Sequence, residues 1–168
     1  MRPAPIVVTA LFGRQDQAWL DGLRREHYPP ERNLVPAHLT LFHHLPPSAE
    51  AELKHRLTAG TRGVRPPRAR ASGLMTLGRG VAVKIESPEL TALRSDLAEA
   101  FVGLLMPADA GGWRPHVTIQ NKVAPALAKA LIAALSKDFR PRELEIAGLA
   151  TWWYRGGAWE PNSRHMFA

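Results

Sequence analysis

His116-Val117-Thr118-Ile119 has a twin earlier in the chain, His38-Leu39-Thr40-Leu41. Each is a histidine, an apolar residue, a threonine and an apolar residue. Each follows a proline, in Pro36-Ala37-His38 and Pro115-His116. Both open runs of strand-forming residues. In a strand, residues i and i+2 point to the same face. The histidine and threonine of each motif therefore share a face, and the leucines, valine and isoleucine point the other way. Unbroken alternation puts His38, Thr40, Phe42 and His44 on one face of the first strand, with Leu39, Leu41 and Leu45 on its core face. On the second strand it puts His116, Thr118, Gln120 and Lys122 over Val117, Ile119 and Val123.

The surrounding chain reads as alternating strands and helices. Pro5–Phe12 is short and β-branched, an opening strand rather than a short signal peptide. Trp19, Leu20, Leu23 and His27 recur at helical spacing over Gln15–His27, and Tyr28-Pro29-Pro30 ends that helix. Glu31–Pro36 is loop. After the first motif strand, His38–Leu45, Ser48 is the expected N-cap of a helix running to Leu57. Thr61–Pro67 is loop, and Arg68–Leu77 and Val81–Ser87 form a hairpin around Gly78-Arg79-Gly80. Ser87-Pro88-Glu89 starts a helix, with Leu90, Leu93, Leu97, Phe101 and Leu105 as its stripe. Pro107–Gly112 reads as a flexible loop. The second motif strand, His116–Val123, precedes a helix over Ala124–Phe139 with Leu127, Leu131 and Leu135 on one face. Glu143–Tyr154 and Trp159–Phe167 close the chain as a hairpin around Arg155-Gly156-Gly157.

The order strand, helix, motif strand, helix, strand thus occurs twice. Arg65-Pro66 and Gly73-Leu74-Met75-Thr76 recur as Arg140-Pro141 and Gly148-Leu149-Ala150-Thr151, both by one and the same offset, close to that between the histidines. Repeated landmarks at near-constant offset predict an internal duplication. The expected fold is α+β, a single domain over 1–168 with pseudo-symmetric halves of roughly 1–80 and 81–168. A duplicated βαβ-type unit with a pseudo-two-fold axis would then bring both motif strands to equivalent places around one groove.

Composition narrows the chemistry. The chain has 22 Lys+Arg against 15 Asp+Glu, a net charge of +7, which attracts polyanions and nucleic acid first. With no cysteine, thiolate nucleophiles, disulfides and Cys-ligated zinc are excluded. No apolar run approaches the ~18 residues of a membrane-spanning helix. A cytoplasmic monomer with no membrane contact is the expectation.

Two imidazoles and two hydroxyls in one groove suit one small anion. An imidazole titrating near 6.5 can take or give a proton at neutral pH. On a cyclic phosphodiester, one histidine would accept a proton from water while the other protonates the leaving ribose oxygen. The threonines would hold the equatorial phosphate oxygens. His38, His43, His44, His55 and His116 could in principle ligate a metal. However, both motif strands lack acids and no H-x-x-x-H spacing exists, so neither metal nor cofactor is expected.

Two H-x-T-x motifs, one in each half of a small α/β chain, resemble the 2H phosphoesterase superfamily, and within it the LigT-like proteins. The resemblance covers nearly the whole chain. It implies a bilobal fold of two antiparallel-sheet lobes with outer helices, the motifs facing across a central groove, and His38, Thr40, His116 and Thr118 as catalytic residues. It also implies opening of RNA 2′,3′-cyclic phosphates to 2′-phosphates, with reversible 2′-5′ ligation in some members. Many members carry an arginine shortly after the second motif, where this chain has Gln120-Asn121-Lys122. The expected partner is RNA or a nucleotide with a cyclic phosphate. Further substrate-contact candidates are Phe42, His44, Arg114, Gln120, Lys122, Tyr154 and Arg155, with Arg79 a guess of the same kind. Trp152, Trp153 and Trp159, beside Arg155, could stack bases, but hairpin tryptophans more often pack inside, and they read as core. The alternative is a non-catalytic RNA- or nucleotide-binding module that keeps the groove.

Overall fold

Seven strands and five helices make up the described residues, 3–168, of the computed structural model. Met1 and Arg2, the first residues of the opening stretch, lie outside them. The first half runs β1 (Ile6–Phe12), α1 (Arg14–His27), β2 (Leu39–Leu45), α2 (Glu50–Thr61) and β3 (Arg68–Thr76). The second runs β4 (Val81–Glu86), α3 (Pro88–Ala100), α4 (Pro107–Ala110), β5 (His116–Gln120), α5 (Pro125–Ser136) and β6 (Arg142–Trp153). The strand β7 (Glu160–Met166) ends the chain. The fold is α+β, two antiparallel lobes repeating one plan.

The lobes are continuous with each other. The strand order is β1-β2-β5-β4-β3-β6-β7, and β6 also pairs with β1. The length of β6 makes this possible: Arg142–Glu145 pair with β3, and Ile146–Trp153 pair with β1. Six strands therefore close into a ring. Its other seam is the single pairing Leu39↔Val117 between the two motif strands. Each of these residues directly follows its motif histidine, so the seam joins equivalent positions and the pseudo-two-fold passes through it.

The helices sit where their apolar stripes dictate, and they cross between halves. α1 packs against β5, and α5 against β3 and β4. α2 packs against β6 and β7, with α3 beside it, Gly60 lying against the Leu93 side chain. Ser87 caps α3 as expected, its hydroxyl accepting the Leu90 amide. Ser48 does not cap α2. It lies in a 3-10 turn, Pro47–Ala49, made by the prolines ahead of it. Leu127 is 59% exposed because α5 turns Ala128, Leu131 and Leu135 to the sheet instead. The segment expected as a loop at 107–112 holds the short helix α4, with Asp109 buried. Among the described residues no helix is long and apolar enough to cross a membrane.

The strict alternation expected on the motif strands fails at a point repeated in both, and β2 shifts register once more between the partners of Val8 and Ile6. Val8 pairs with Phe42 but Thr9 with Thr40, so β2 carries an extra residue. Val81 pairs with Gln120 but Ala82 with Thr118, giving β5 the same extra residue. Each is a β-bulge directly after the motif threonine, and a bulge turns the following side chains off their alternating faces. Leu41 and Phe42 are consequently both buried, as are Ile119 and Gln120. Phe42, expected on the groove face, is a fully buried core residue. Phe42→Ala should cost about 3–5 kcal/mol of folding stability. Urea unfolding measures this, and a loss below about 1 kcal/mol would show that the ring is not a core element.

Candidate active site

The bulges leave the first half of each motif intact, and the seam sets its geometry. In an antiparallel pair, one step along either strand moves to the next opposed pair. From Leu39↔Val117, Thr40 lies beside His116 and Thr118 beside His38. Each threonine thus flanks the histidine of the other motif. The structure brings all four together at the junction of the lobes.

Both rings are held in one tautomer by the same device. His38 Nδ1 lies 2.8 Å from the Pro36 carbonyl, and His116 Nδ1 lies 2.7 Å from the Arg114 carbonyl. A carbonyl only accepts, so Nδ1 carries the hydrogen in each ring. Nε2 is then the free nitrogen, ready to accept a proton when the ring is neutral or to give one when it is charged.

The surroundings of His38 bear on its charge. Trp159 lies against His38, with ring centroids 4.5 Å apart at 59°. His38 is pushed down to about 4, chiefly by burial. Its hydrogen bond to Pro36 opposes this, while the positive charge of Arg24, His43 and His116 adds to it. The unfolded imidazole titrates at 6.5. Between 6.5 and 4 the unfolded chain binds this proton and the folded chain does not, so stability is full above that window and falls as pH drops through it. The effect is on the order of 3 kcal/mol at most. Thermal midpoints should therefore drop more steeply from pH 6.5 to 4 in the wild type than in His38→Ala. Parallel slopes would contradict this.

The bulge exchanges the roles expected of the next two histidines. His43, not His44, acts on His38 through its charge. The His43 ring is fixed by buried Asp109, 2.9 Å from Nδ1, and the same carboxylate accepts the amides of His43 and His44. Burial alone would raise Asp109. The His43 ring and the two amides outweigh it and hold the carboxyl below its usual range.

A cavity of about 560 Å³ adjoins His38. Thr9, Leu11, Trp152, Trp159, Arg164 and Met166 are among its walls, closed on the other side by α1 and residues 34–37. Trp159 and Trp152, 6.3 Å apart, form an aromatic wall rather than the interior packing expected of them. On the far side of the seam, Lys84 is the β4 neighbour of His116 and is exposed. Cross-strand partners share a face, so its ammonium sits on the histidine side.

The remaining candidates divide. Gln120 is buried, 7% exposed, and its Oε1 has no protein partner. Lys122 is exposed beyond the end of β5, at φ +62°. Arg114 is exposed and contributes its carbonyl to His116. Tyr154 and Arg155 lie in the β6–β7 turn and do not line the cavity, though Ala158 and Trp159 of the same turn do, and Arg155 is bonded to Glu160 at 3.0 Å. Arg79 lends its carbonyl to the Val123 amide. Sequence reasoning missed Lys84 and Asp109, and it read Trp159 as core. Among the described residues, no three His, Asp or Glu side chains converge as metal ligands.

This architecture has relatives. The model of the 2′-5′ RNA ligase superfamily matches residues 12–158, and the chain belongs to that superfamily. TT0787 of Thermus thermophilus superposes with a TM-score of 0.69 at 17% identity, covering 97% of each chain. LigT of E. coli in complex with 3′-AMP gives 0.63 at 16% identity, over 99% of each chain. The E. coli LigT complex with NADP+ gives 0.61 at 19% identity, again over 99% of each. No curated protein sequence matches the chain.

Proposed function

We propose that this chain is a metal-independent phosphodiesterase that opens 2′,3′-cyclic phosphate ends of RNA or nucleotides by two-histidine acid–base catalysis. The observation that carries the proposal is the matched pair of rings. Each imidazole gives Nδ1–H to the carbonyl two positions upstream and keeps Nε2 free beside a threonine. Pure binding requires no such pair of aligned proton carriers. Membership of the 2′-5′ RNA ligase superfamily supports the reading. So do the E. coli LigT complexes with 3′-AMP, NADP+ and ATP, which speak for a nucleotide ligand.

The surroundings of His38 favour one assignment of the roles. His38, kept neutral, is the general base, and His116 is the general acid. His38 Nε2 takes a proton from water as the water oxygen bonds to phosphorus. The P–O3′ bond breaks, and His116 gives its proton to the departing O3′. A 2′-phosphate and a 3′-hydroxyl result. Thr40 and Thr118 donate hydrogen bonds to the equatorial oxygens, where negative charge grows. With an RNA 5′-hydroxyl in place of water, the same step makes a 2′-5′ bond. Lys84 adds a phosphate contact. Lys84→Ala should raise KM for RNA and reduce its log–log salt dependence by about one unit. An unchanged salt slope would remove Lys84 from the site.

The function is tested with a nucleoside 2′,3′-cyclic phosphate followed by ³¹P NMR. The cyclic resonance should be replaced by that of a 2′-monophosphate. Saturable binding with no turnover, on nucleotides and on RNA, would favour the non-catalytic module.

A further inference from the structure

α1 and α3 carry one pattern. Leu20, Leu23 and Arg24 of the first recur at the same spacing as Leu90, Leu93 and Arg94 of the second. Both arginines are buried, at 4% and 6% exposure. Burying a guanidinium is costly unless its N–H groups find acceptors. Arg24 Nη1 donates to the Thr118 carbonyl at 2.9 Å and Nε to Asn33 Oδ1 at 2.7 Å. Arg94 Nε donates to the Leu41 carbonyl at 3.1 Å and Nη2 to the Asp109 carbonyl at 2.7 Å. Aromatic faces cover both cations: Tyr28 lies 4.0 Å from Arg24, and Phe42 lies 4.4 Å from Arg94.

The choice of carbonyls is informative. Thr118 and Leu41 lie at the two bulges, where the ladder is interrupted. A main-chain carbonyl left out of a ladder inside the protein needs another donor. The arginines supply it crosswise. α1 precedes β2 but grips β5, and α3 precedes β5 but grips β2. Only one pairing joins the motif strands directly, so these grips bear on their spacing.

We propose that Arg24 and Arg94 are positioning residues, a reciprocal clasp that holds the motif strands at their bulges and sets the distance between the two imidazoles. Arg24 has a second role that Arg94 lacks. Its charge reaches His38 and favours the neutral ring, together with His43 on β2 and His116 on β5. Asp21 of α1, Arg14 and Arg164 border the adjoining cavity, Asp109 pairs with His43, and Lys84 neighbours His116. The kinetic part rests on the proposed phosphodiesterase activity. The ring titrations do not.

Four variants test the clasp: Arg24→Lys, Arg24→Met, Arg94→Lys and Arg94→Met. Lysine keeps the charge but loses the fork. Both lysine variants should lose about 10- to 100-fold in kcat, with KM changed less than about threefold, because small misplacements of reacting groups cost about that much. NMR titration of the imidazoles should show the His38 midpoint rising in Arg24→Met and unmoved in Arg94→Met and Arg24→Lys. Folded lysine variants with wild-type kcat would overturn the clasp, and a His38 midpoint unmoved by Arg24→Met would overturn the second role. Should the arginine variants not fold, Asn33→Ala frees one side of the Arg24 fork from the loop. It should lower kcat about 3- to 10-fold, and no change would likewise refute the clasp. If the wild type turns over no cyclic phosphate, the activity proposal fails, and the titrations alone judge the influence of Arg24 on His38.

Discussion

His38→Ala or His116→Ala lowers kcat on a cyclic phosphate by about 10²–10⁴-fold, while substrate binding changes little. That range is what one positioned proton carrier contributes to a transition state. Neither ring is needed to fill the core, because both are only partly buried and their apolar neighbours Leu39 and Val117 do the packing. In the proposed mechanism the two rings serve one concerted step: a proton leaves water at His38 as another arrives on O3′ from His116. Removing the second ring after the first therefore costs little more, and the double variant should match the worse single. Steady-state kinetics of the three variants measure this. Fully multiplicative losses would mean that the histidines act in separate steps. His55, exposed on α2, is the control, and its alanine variant should be near neutral.

Thr40→Val and Thr118→Val each lose about 2–4 kcal/mol of transition-state stabilisation, as removal of one preorganised oxyanion donor does. Valine keeps the shape and deletes only the hydroxyl, so the fold is preserved. Each threonine sits beside the histidine of the opposite motif, where the proposed mechanism puts the phosphate. The loss should appear in kcat rather than KM, because the charge on the equatorial oxygens grows only as the transition state forms. Rate losses confined to KM would recast the threonines as ground-state binders.

The arrangement of the two His-x-Thr motifs was more legible in the sequence than the rest of the candidate site. A repeated His-x-Thr needs only two-residue periodicity to place imidazole and hydroxyl together, and that much of the alternation survives. It breaks directly after Thr40 and Thr118, where the bulges bury Phe42 and Gln120. Two successive large apolar residues, Leu41 and Phe42, hinted at the first bulge. Gln120, being polar, disguised the second. Asp109 read as a loop acid because its partners, the amides of His43 and His44, belong to the other half of the chain. Lys84 joins the site through strand register with His116, and register between distant strands is set by tertiary pairing. Trp159 precedes β7, which pairs with β6 beside β1, and it reaches His38 by tertiary packing, a contact with no local signature. The repeat of Leu20, Leu23 and Arg24 was present in the letters. It escaped alignment because the stretch from Arg94 to His116 is longer than that from Arg24 to His38, so helices and histidines do not share one offset.

The most direct measurement uses an RNA oligonucleotide ending in a 2′,3′-cyclic phosphate, incubated with wild-type protein in excess EDTA, with the end group then identified. The account predicts undiminished conversion to a 2′-phosphate end, lost in His38→Ala and His116→Ala. Abolition of turnover by EDTA with restoration by a divalent ion, or a 3′-phosphate product, would contradict it.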